Sequence, residues 1–191
     1  MSEHNFFLTL DLEEWYHLEY LKGSSPSEGT SMVEQLDGFF SMLDKHDIKI
    51  TVFLLGELID KHKDLITSIA SRGHELGIHG WDHQLLDEKD LHTFKTDILK
   101  TKHKIEKLFN CVVTGYRAPC FSMSNDKFEI LESIGIKYDS SFIQFKDHPL
   151  YGDLNMDGSE VVDNLVYKKN NVFEFELPTI NLLGKMIPIS G

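Results

Sequence analysis

Arginine is almost missing from this chain: Arg72 and Arg117 stand beside 17 lysines. Cysteine is as scarce. Cys111 and Cys120, nine residues apart and outside any Cys-x-x-Cys pattern, exclude a cysteine zinc cage and a disulfide scaffold; they read as small core residues of a reducing compartment. No apolar run approaches the ~20 residues that a membrane-spanning helix requires. The opening residues, Met1-Ser-Glu-His-Asn-Phe, lack a basic segment followed by a long apolar one, so no signal peptide is expected. Positive charge is also in deficit, with 31 Asp plus Glu against 19 Lys plus Arg and a formal net charge of −12. That field repels a phosphate backbone or an anionic membrane surface but leaves a neutral sugar as a possible substrate. The expectation is a cytoplasmic protein with no nucleic-acid partner and no membrane insertion. The oligomeric state is not legible.

What is present is a chain of 191 residues that is 41% hydrophobic, long enough for one domain (1–191) with a sizeable core. Residues 5–12 alternate: Phe6, Leu8, Leu10 and Leu12 point one way, and Phe7, Thr9 and Asp11 the other. An apolar face opposite a face that ends in a carboxylate suits a barrel strand with helices outside and chemistry inside. Continuing the alternation puts Glu13 beside Asp11. Residues 22–31 are loop by composition. Ser31 and Glu34 form a capping box, after which Met32, Val33, Leu36, Phe39, Phe40 and Leu43 make one apolar helix face. Further strands are predicted over 48–55, 74–79, 112–117, 137–141, 161–166 and 172–177. Helices are predicted over 62–72, 88–109 and 126–134, the first stopped by Gly73 and the last by Gly135. Strand and helix alternate from residue 5 to about 141, which argues an α/β fold with a largely parallel sheet.

Asp11, His79 and Arg117 each end a predicted strand, where a parallel α/β barrel gathers its functional groups. The organising stretch is Gly73-His-Glu-Leu-Gly-Ile-His79-Gly-Trp-Asp-His83. Its two imidazoles meet one ion if the turn after the strand is helical, since positions four apart share a face. A carboxylate would complete the set and leave room for water and substrate. Spacing does not decide which acid binds and which acts as base; the expectation is Asp11 as base, with Glu13 reaching the metal. Arg117 would pair with Asp11, a role that a lysine fills poorly. Glu14 reads as a solvated strand end. Trp15 and Trp81 read equally as core or as sugar-stacking platforms, and His17, His74 and His148 as solvent-facing or supporting groups.

At these residues the chain resembles the polysaccharide deacetylase superfamily with the NodB homology domain, also called carbohydrate esterase family 4. Asp11-Leu-Glu13-Glu14-Trp15 is similar to an Asp-Val-Glu-Asp-Trp first motif, and the stretch from Gly73 to His83 to the second motif. Gly115-Tyr-Arg117-Ala-Pro119-Cys-Phe-Ser122 is similar to the third, while Tyr138-Asp139-Ser-Ser141 and Glu176-Leu-Pro178 look like later elements. The resemblance implies a distorted (β/α)7-type barrel and metal-dependent hydrolysis of an N-acetyl group on a sugar. It puts Asp11 on the base, His79 and His83 on the metal, and Arg117 on the residue that orients the base. It also sets Trp15, Trp81, Pro119 and Asp139 along the substrate. The ion implied is divalent, zinc in the first instance. Leu12 stands where the usual second Asp of the first motif would be, which makes Glu13 the substitute ligand. The family's late apolar–His motif, whose histidine acts as general acid, has no match before Gly191, so the barrel is expected to be incomplete at its C-terminus and the chain weakly active or inactive alone. The rival expectations are a metal-independent amidase acting on a small C–N substrate and a non-catalytic carbohydrate-binding domain.

Overall fold

The alternation in the chain is realised as β–α units laid side by side. The computed structural model describes residues 6–21, 29–145 and 148–189. Strands β1 (Thr9–Leu12), β2 (Thr51–Leu54), β3 (Glu75–Ile78), β4 (Gly115–Tyr116) and β5 (Tyr138–Asp139) form, as do β6 (Glu160–Asp163), β7 (Val166–Lys169) and β8 (Val172–Phe175). They make one eight-stranded sheet in the order β1-β2-β3-β4-β5-β8-β7-β6. The first six strands of that order are parallel, and β7 and β6 fold back antiparallel. Helices α1 (Asp37–Lys45), α2 (Lys63–Ser71), α3 (Leu91–Phe109) and α4 (Asn125–Ser133) occupy the crossovers.

Period-two alternation sorts the side chains onto two faces. Leu12, Leu54, Ile78 and Tyr116 are in register across β1 to β4 and buried against Phe40, Ile66, Phe94, Ile98 and Phe128. Burying each such side chain contributes about 1.5–3 kcal/mol, so this layer is the main source of stability. The other face carries Asp11 beside Phe53 and Gly77. Gly77 leaves room for Phe53, because a Cβ there would sit 2.5 Å from that ring. Phe53 and Phe175 each meet Tyr138 edge to face, and the three rings floor the concave side. Phe7, just before β1, meets Phe175 at 5.3 Å between centroids, so the sheet curls towards a barrel. Among the described residues β1 and β6 each pair on one side only, and the barrel is not closed by hydrogen bonds.

The elements are shorter than the hydrophobic pattern suggests, and three differ in kind. The expected strand over 161–166 is two strands, broken by a turn in which Leu165 is left-handed (φ 59°). Helix α3 starts at Leu91 rather than Glu88, because Asp90 caps it by accepting the Thr93 N–H at 2.7 Å. Leu91 is accordingly half exposed instead of lying in the apolar stripe. Ser31 does cap, accepting the Glu34 N–H at 3.1 Å, but it starts a 3-10 turn over Val33–Gln35; α1 begins later and Met32 stays exposed. A hairpin of β9 (Thr179–Leu182) and β10 (Lys185–Pro188) follows the sheet, turned by Leu183 and Gly184, both at positive φ. Most of the loop expected over 22–31 lies outside the described residues.

Candidate active site

Asp11, Glu13, His79, His83 and Arg117 converge at the carboxyl ends of β1, β3 and β4. Arg117 leaves β4 and spreads its guanidinium over the Phe53 ring, 4.5 Å from the centroid. Its Nη1 donates to Asp11 Oδ1 at 3.0 Å and to Thr9 Oγ1 at 2.8 Å. Its Nε and Nη2 donate to Ser140 O and Ser140 Oγ at 2.9 and 2.8 Å. A lysine ammonium could not serve all of these acceptors in one plane.

His79 is buried, with Nδ1 2.9 Å from the Arg117 carbonyl. A carbonyl can only accept, so Nδ1 bears the hydrogen and the Nε2 lone pair faces the acids. That Nε2 lies 3.9 Å from both Asp11 Oδ2 and Glu13 Oε2. His83 Nε2 approaches Glu13 Oε2 to 2.8 Å. The two rings are 5.3 Å apart and tilted by 58°. The turn between them is not the helix that the spacing suggested. It is a loop with Gly80 at φ 90° and His83 at φ 55°, a left-handed conformation that costs a non-glycine residue of order 1–3 kcal/mol.

That loop is held on both sides. Lys89, itself buried, donates to Asp82 at 2.7 Å and to Asp97 of α3 at 2.6 Å. Burial would lower the Lys89 pKa, and the two carboxylates outweigh it and raise the value. Leu86 N–H donates to Ser122 Oγ at 3.0 Å, which ties the loop to the turn after Pro119. His17 lies nearly parallel to His83, 6.1 Å away, and accepts the Glu14 N–H on Nδ1 at 3.0 Å.

Burial alone would raise the pKa of Asp11, but the His79 imidazole and the Arg117 guanidinium that face it outweigh burial and the value is lowered. Burial also lowers His79, keeping it neutral, so Arg117 is the cation that holds Asp11 ionised near neutral pH. Glu13 is likewise lowered, with burial opposed first by its contact with His83.

One ligand atom from each of Glu13, His79 and His83 fits within 4.8 Å of the others. Two imidazole nitrogens and a carboxylate oxygen are the donors that zinc accepts in catalytic sites, where tetrahedral bonds set neighbouring donors about 3.3 Å apart. The separations of 2.8 and 3.9 Å bracket that edge, and Glu13 Oε2 is buried without a well-aligned hydrogen bond. The residues fit a divalent ion.

Other expected residues lie elsewhere. Asp139 is fully buried on the helix-facing side of the sheet, in register with Tyr116. Trp81 lies against Gly56 and carries Lys100 Nζ 3.1 Å above its ring, so that face is occupied rather than open to a sugar. Pro119 is buried and packs near Gly80. Trp15 packs at Gly29 and walls an open depression with Glu14, Ser31 and Lys61. Glu14 is not solvated. It accepts from Ser31 Oγ, Met32 N–H and Lys61 Nζ at 2.6, 2.9 and 3.2 Å, with His62 at 3.3 Å. His74 is buried and accepts the Ile50 N–H, and His148 receives the Tyr20 hydroxyl contact at 3.0 Å.

The fold and the site together define an α/β, barrel-like protein with a strand-end pocket built from two histidines and a carboxylate beside an Arg–Asp pair. The polysaccharide deacetylase family profile matches residues 28–138, more than half of the sequence, and the chain belongs to that family. A peptidoglycan deacetylase of Helicobacter pylori is 30% identical over 110 residues, which are 58% of this chain and 38% of its own length. The peptidoglycan-N-acetylglucosamine deacetylase PgdA of Listeria monocytogenes is 27% identical over 99 residues, 52% of this chain and 21% of its own. The chain thus spans well under half the length of these curated relatives. Among solved structures, a chain from Mycobacterium smegmatis assigned to the polysaccharide deacetylases superposes with a TM-score of 0.68 at 23% identity, covering 90% of this chain and 58% of that one. A CE4 family pseudoenzyme from Bacillus anthracis gives 0.56 at 22%, covering 68% and 40%. These likenesses are of fold. Asp11, Glu13 and everything beyond Tyr138 fall outside the matched segment, and their place in the site rests on geometry.

Proposed function

We propose that the chain hydrolyses the N-acetyl group of an N-acetylated sugar or polysaccharide with the help of a divalent ion, zinc by the chemistry of its donors. The observation that carries this reading is the meeting of two buried imidazoles and the Glu13 carboxylate with an arginine-held aspartate whose second oxygen is free. Glu13, His79 and His83 would hold the ion. When bound, it supplies an acidified water and polarises the acetamide carbonyl.

Arg117 takes Asp11 Oδ1, which leaves Oδ2 pointing beside His79. Asp11 accepts a proton from the attacking water as the water oxygen bonds to the carbonyl carbon. The C–N bond then breaks with its electron pair moving to nitrogen. The proton on Asp11 passes to that nitrogen, giving acetate and a free amine. His79 Nδ1–H, fixed on the Arg117 carbonyl, couples the ring that faces the ion to the strand that supplies the arginine. Relatives named for peptidoglycan support a glycan bearing N-acetylglucosamine as the substrate class.

One observation favours a second reading. The 2.8 Å approach of His83 to Glu13 is also what a protonated imidazole and a carboxylate would make with no ion between them, as in a metal-independent amidase. Acetate release from N-acetylglucosamine oligomers, measured with and without chelator, separates the two. Loss on chelation and recovery on adding zinc are expected; activity that ignores the chelator removes the ion from the mechanism. Because a pseudoenzyme shares the fold, turnover and not architecture is the deciding readout.

A further inference from the structure

Asp139 and Glu174 are register partners on the neighbouring parallel strands β5 and β8. Both are fully buried, and both share the helix-facing side of the sheet with Ile78 and Tyr116. Two ionised carboxylates side by side in such a layer would meet unscreened repulsion on top of the cost of desolvation. Two of their four oxygens are engaged, by three hydrogen bonds. Glu174 Oε1 accepts the backbone N–H groups of Ser141 and Phe142 at 2.9 and 2.8 Å. Asp139 Oδ1 accepts the Ser141 hydroxyl at 2.8 Å. The remaining oxygens, Asp139 Oδ2 and Glu174 Oε2, are buried with no conventional partner. A proton between them satisfies both.

We propose that Asp139 and Glu174 hold one proton between Oδ2 and Oε2, and that the resulting monoanion is a positioning pair that fixes Arg117 from the far face of the sheet. Two N–H bonds keep the negative charge on Glu174, so the proton belongs to Asp139, which donates it. Burial, followed by the facing Glu174 charge, pushes Asp139 well above the usual carboxylate range, in agreement with this assignment. Burial also raises Glu174, against the lowering effect of its bonds to Asp139, Phe142 and Ser141. The other ionisable groups near the pair are the Tyr116 phenol and the Arg117 guanidinium.

The route from pair to arginine is continuous. Glu174 grips the backbone at Ser141 and Phe142, directly after the residue that holds Arg117. Ser140 supplies its carbonyl to Nε and its hydroxyl to Nη2, and that hydroxyl donates in turn to Phe175 O at 3.0 Å. Ser141 Oγ, while donating to Asp139, accepts the Ala118 N–H at 2.8 Å. The segments after β4 and β5 therefore move as one, and Arg117 delivers its remaining N–H bonds to Thr9 and Asp11. The consequence for catalysis rests on the function proposed above; the shared proton and the hold on Arg117 do not.

The test uses the full chain. Infrared difference spectra at neutral pH should show a protonated carboxyl band in the wild type that disappears in both Asp139→Asn and Glu174→Gln, since either amide can donate to the remaining carboxylate. With only Arg72 and Arg117 present, the Arg117 Nε–H resonance is assignable through Arg72→Lys. It should be protected from solvent exchange in the wild type and in both amide variants, and lose protection in Glu174→Ala. Acetate release should survive in the amide variants and fall about 100-fold in Glu174→Ala through kcat, with KM unchanged. A band that persists in both amide variants, or an Arg117 Nε–H as exposed in Glu174→Gln as in Glu174→Ala, overturns the proposal. Should Glu174→Ala not fold, the band and the Arg117 signal in the amide variants decide. If the wild type releases no acetate, the function reading fails while these two signals still judge the pair.

Discussion

Two pairs of acids lie at the same strand ends and behave in opposite ways. Asp11 and Glu13 face the concave side, among Arg117, His79 and His83, and are held ionised. Asp139 and Glu174 face the helices, with backbone N–H groups and a serine hydroxyl, and are pushed towards protonation. Burial opposes charge in all four. What separates them is what they touch: the His79 imidazole and Arg117 guanidinium face Asp11 and the His83 imidazole meets Glu13, all on the concave face. Side-chain parity on a strand, more than residue type, assigns chemistry to a carboxylate in this fold.

The largest expected break in that contrast is Asp11→Asn, which removes the base while keeping the shape. Acetate release should fall by about 10² to 10⁴-fold, with zinc affinity within a few-fold of wild type by calorimetry. Next is Arg117→Lys. One point charge cannot replace a fork serving Asp11, Thr9 and Ser140, so kcat should drop about 100-fold and the chain should lose roughly 3 kcal/mol in urea unfolding.

The helix-facing pair is sharpened by pH. A folded acid with a raised pKa keeps a proton that the unfolded chain releases above its ordinary value. Stability from that proton is complete below the unfolded pKa and declines as pH rises towards the folded one, by about 1.4 kcal/mol per pH unit. Asp139→Asn should remove this downward slope from unfolding free energies measured between about pH 5 and 8. The concave pair has the opposite sign, because its lowered values give stability that is lost only as pH falls through the carboxylate range. A smaller effect is expected from Glu14→Gln, which weakens acceptance from Ser31 and Lys61 and should cost about 1–3 kcal/mol without changing zinc affinity. Trp81→Phe, under its lysine, should leave acetate release within about twofold and shift stability by about 1 kcal/mol, close to the value of a cation–π contact.

The legible part of this molecule is the part written locally. Alternation from Leu8 to Leu12 placed Asp11 on the concave face, and the spacing of His79 and His83 pointed to the cluster that they form with Glu13. The residues that were missed have distant partners. Glu14 looked like a solvated strand end because Ser31 and Lys61, which bury it, lie 17 and 47 residues on. Lys89 and Glu174 carry no sequence signal, since a buried lysine or glutamate is defined by the groups across from it. Trp81 was open to a sugar-stacking reading until α3 brought Lys100 over its face. Asp139 was drawn to the substrate by motif resemblance, although strand parity turns it the other way. The hairpin at Leu183-Gly184 escaped because its turn lacks the Asn-Gly or Asp-Gly signal that usually marks one.

On the proposed mechanism Glu13, His79 and His83 take a single ion beside Asp11. Anomalous diffraction at the zinc edge, on crystals of this chain grown with zinc, tests it directly. One peak in contact with the two imidazoles and Glu13, absent in His83→Ala, is the predicted result; a peak placed elsewhere, or none at this cluster under saturating zinc, would contradict the account.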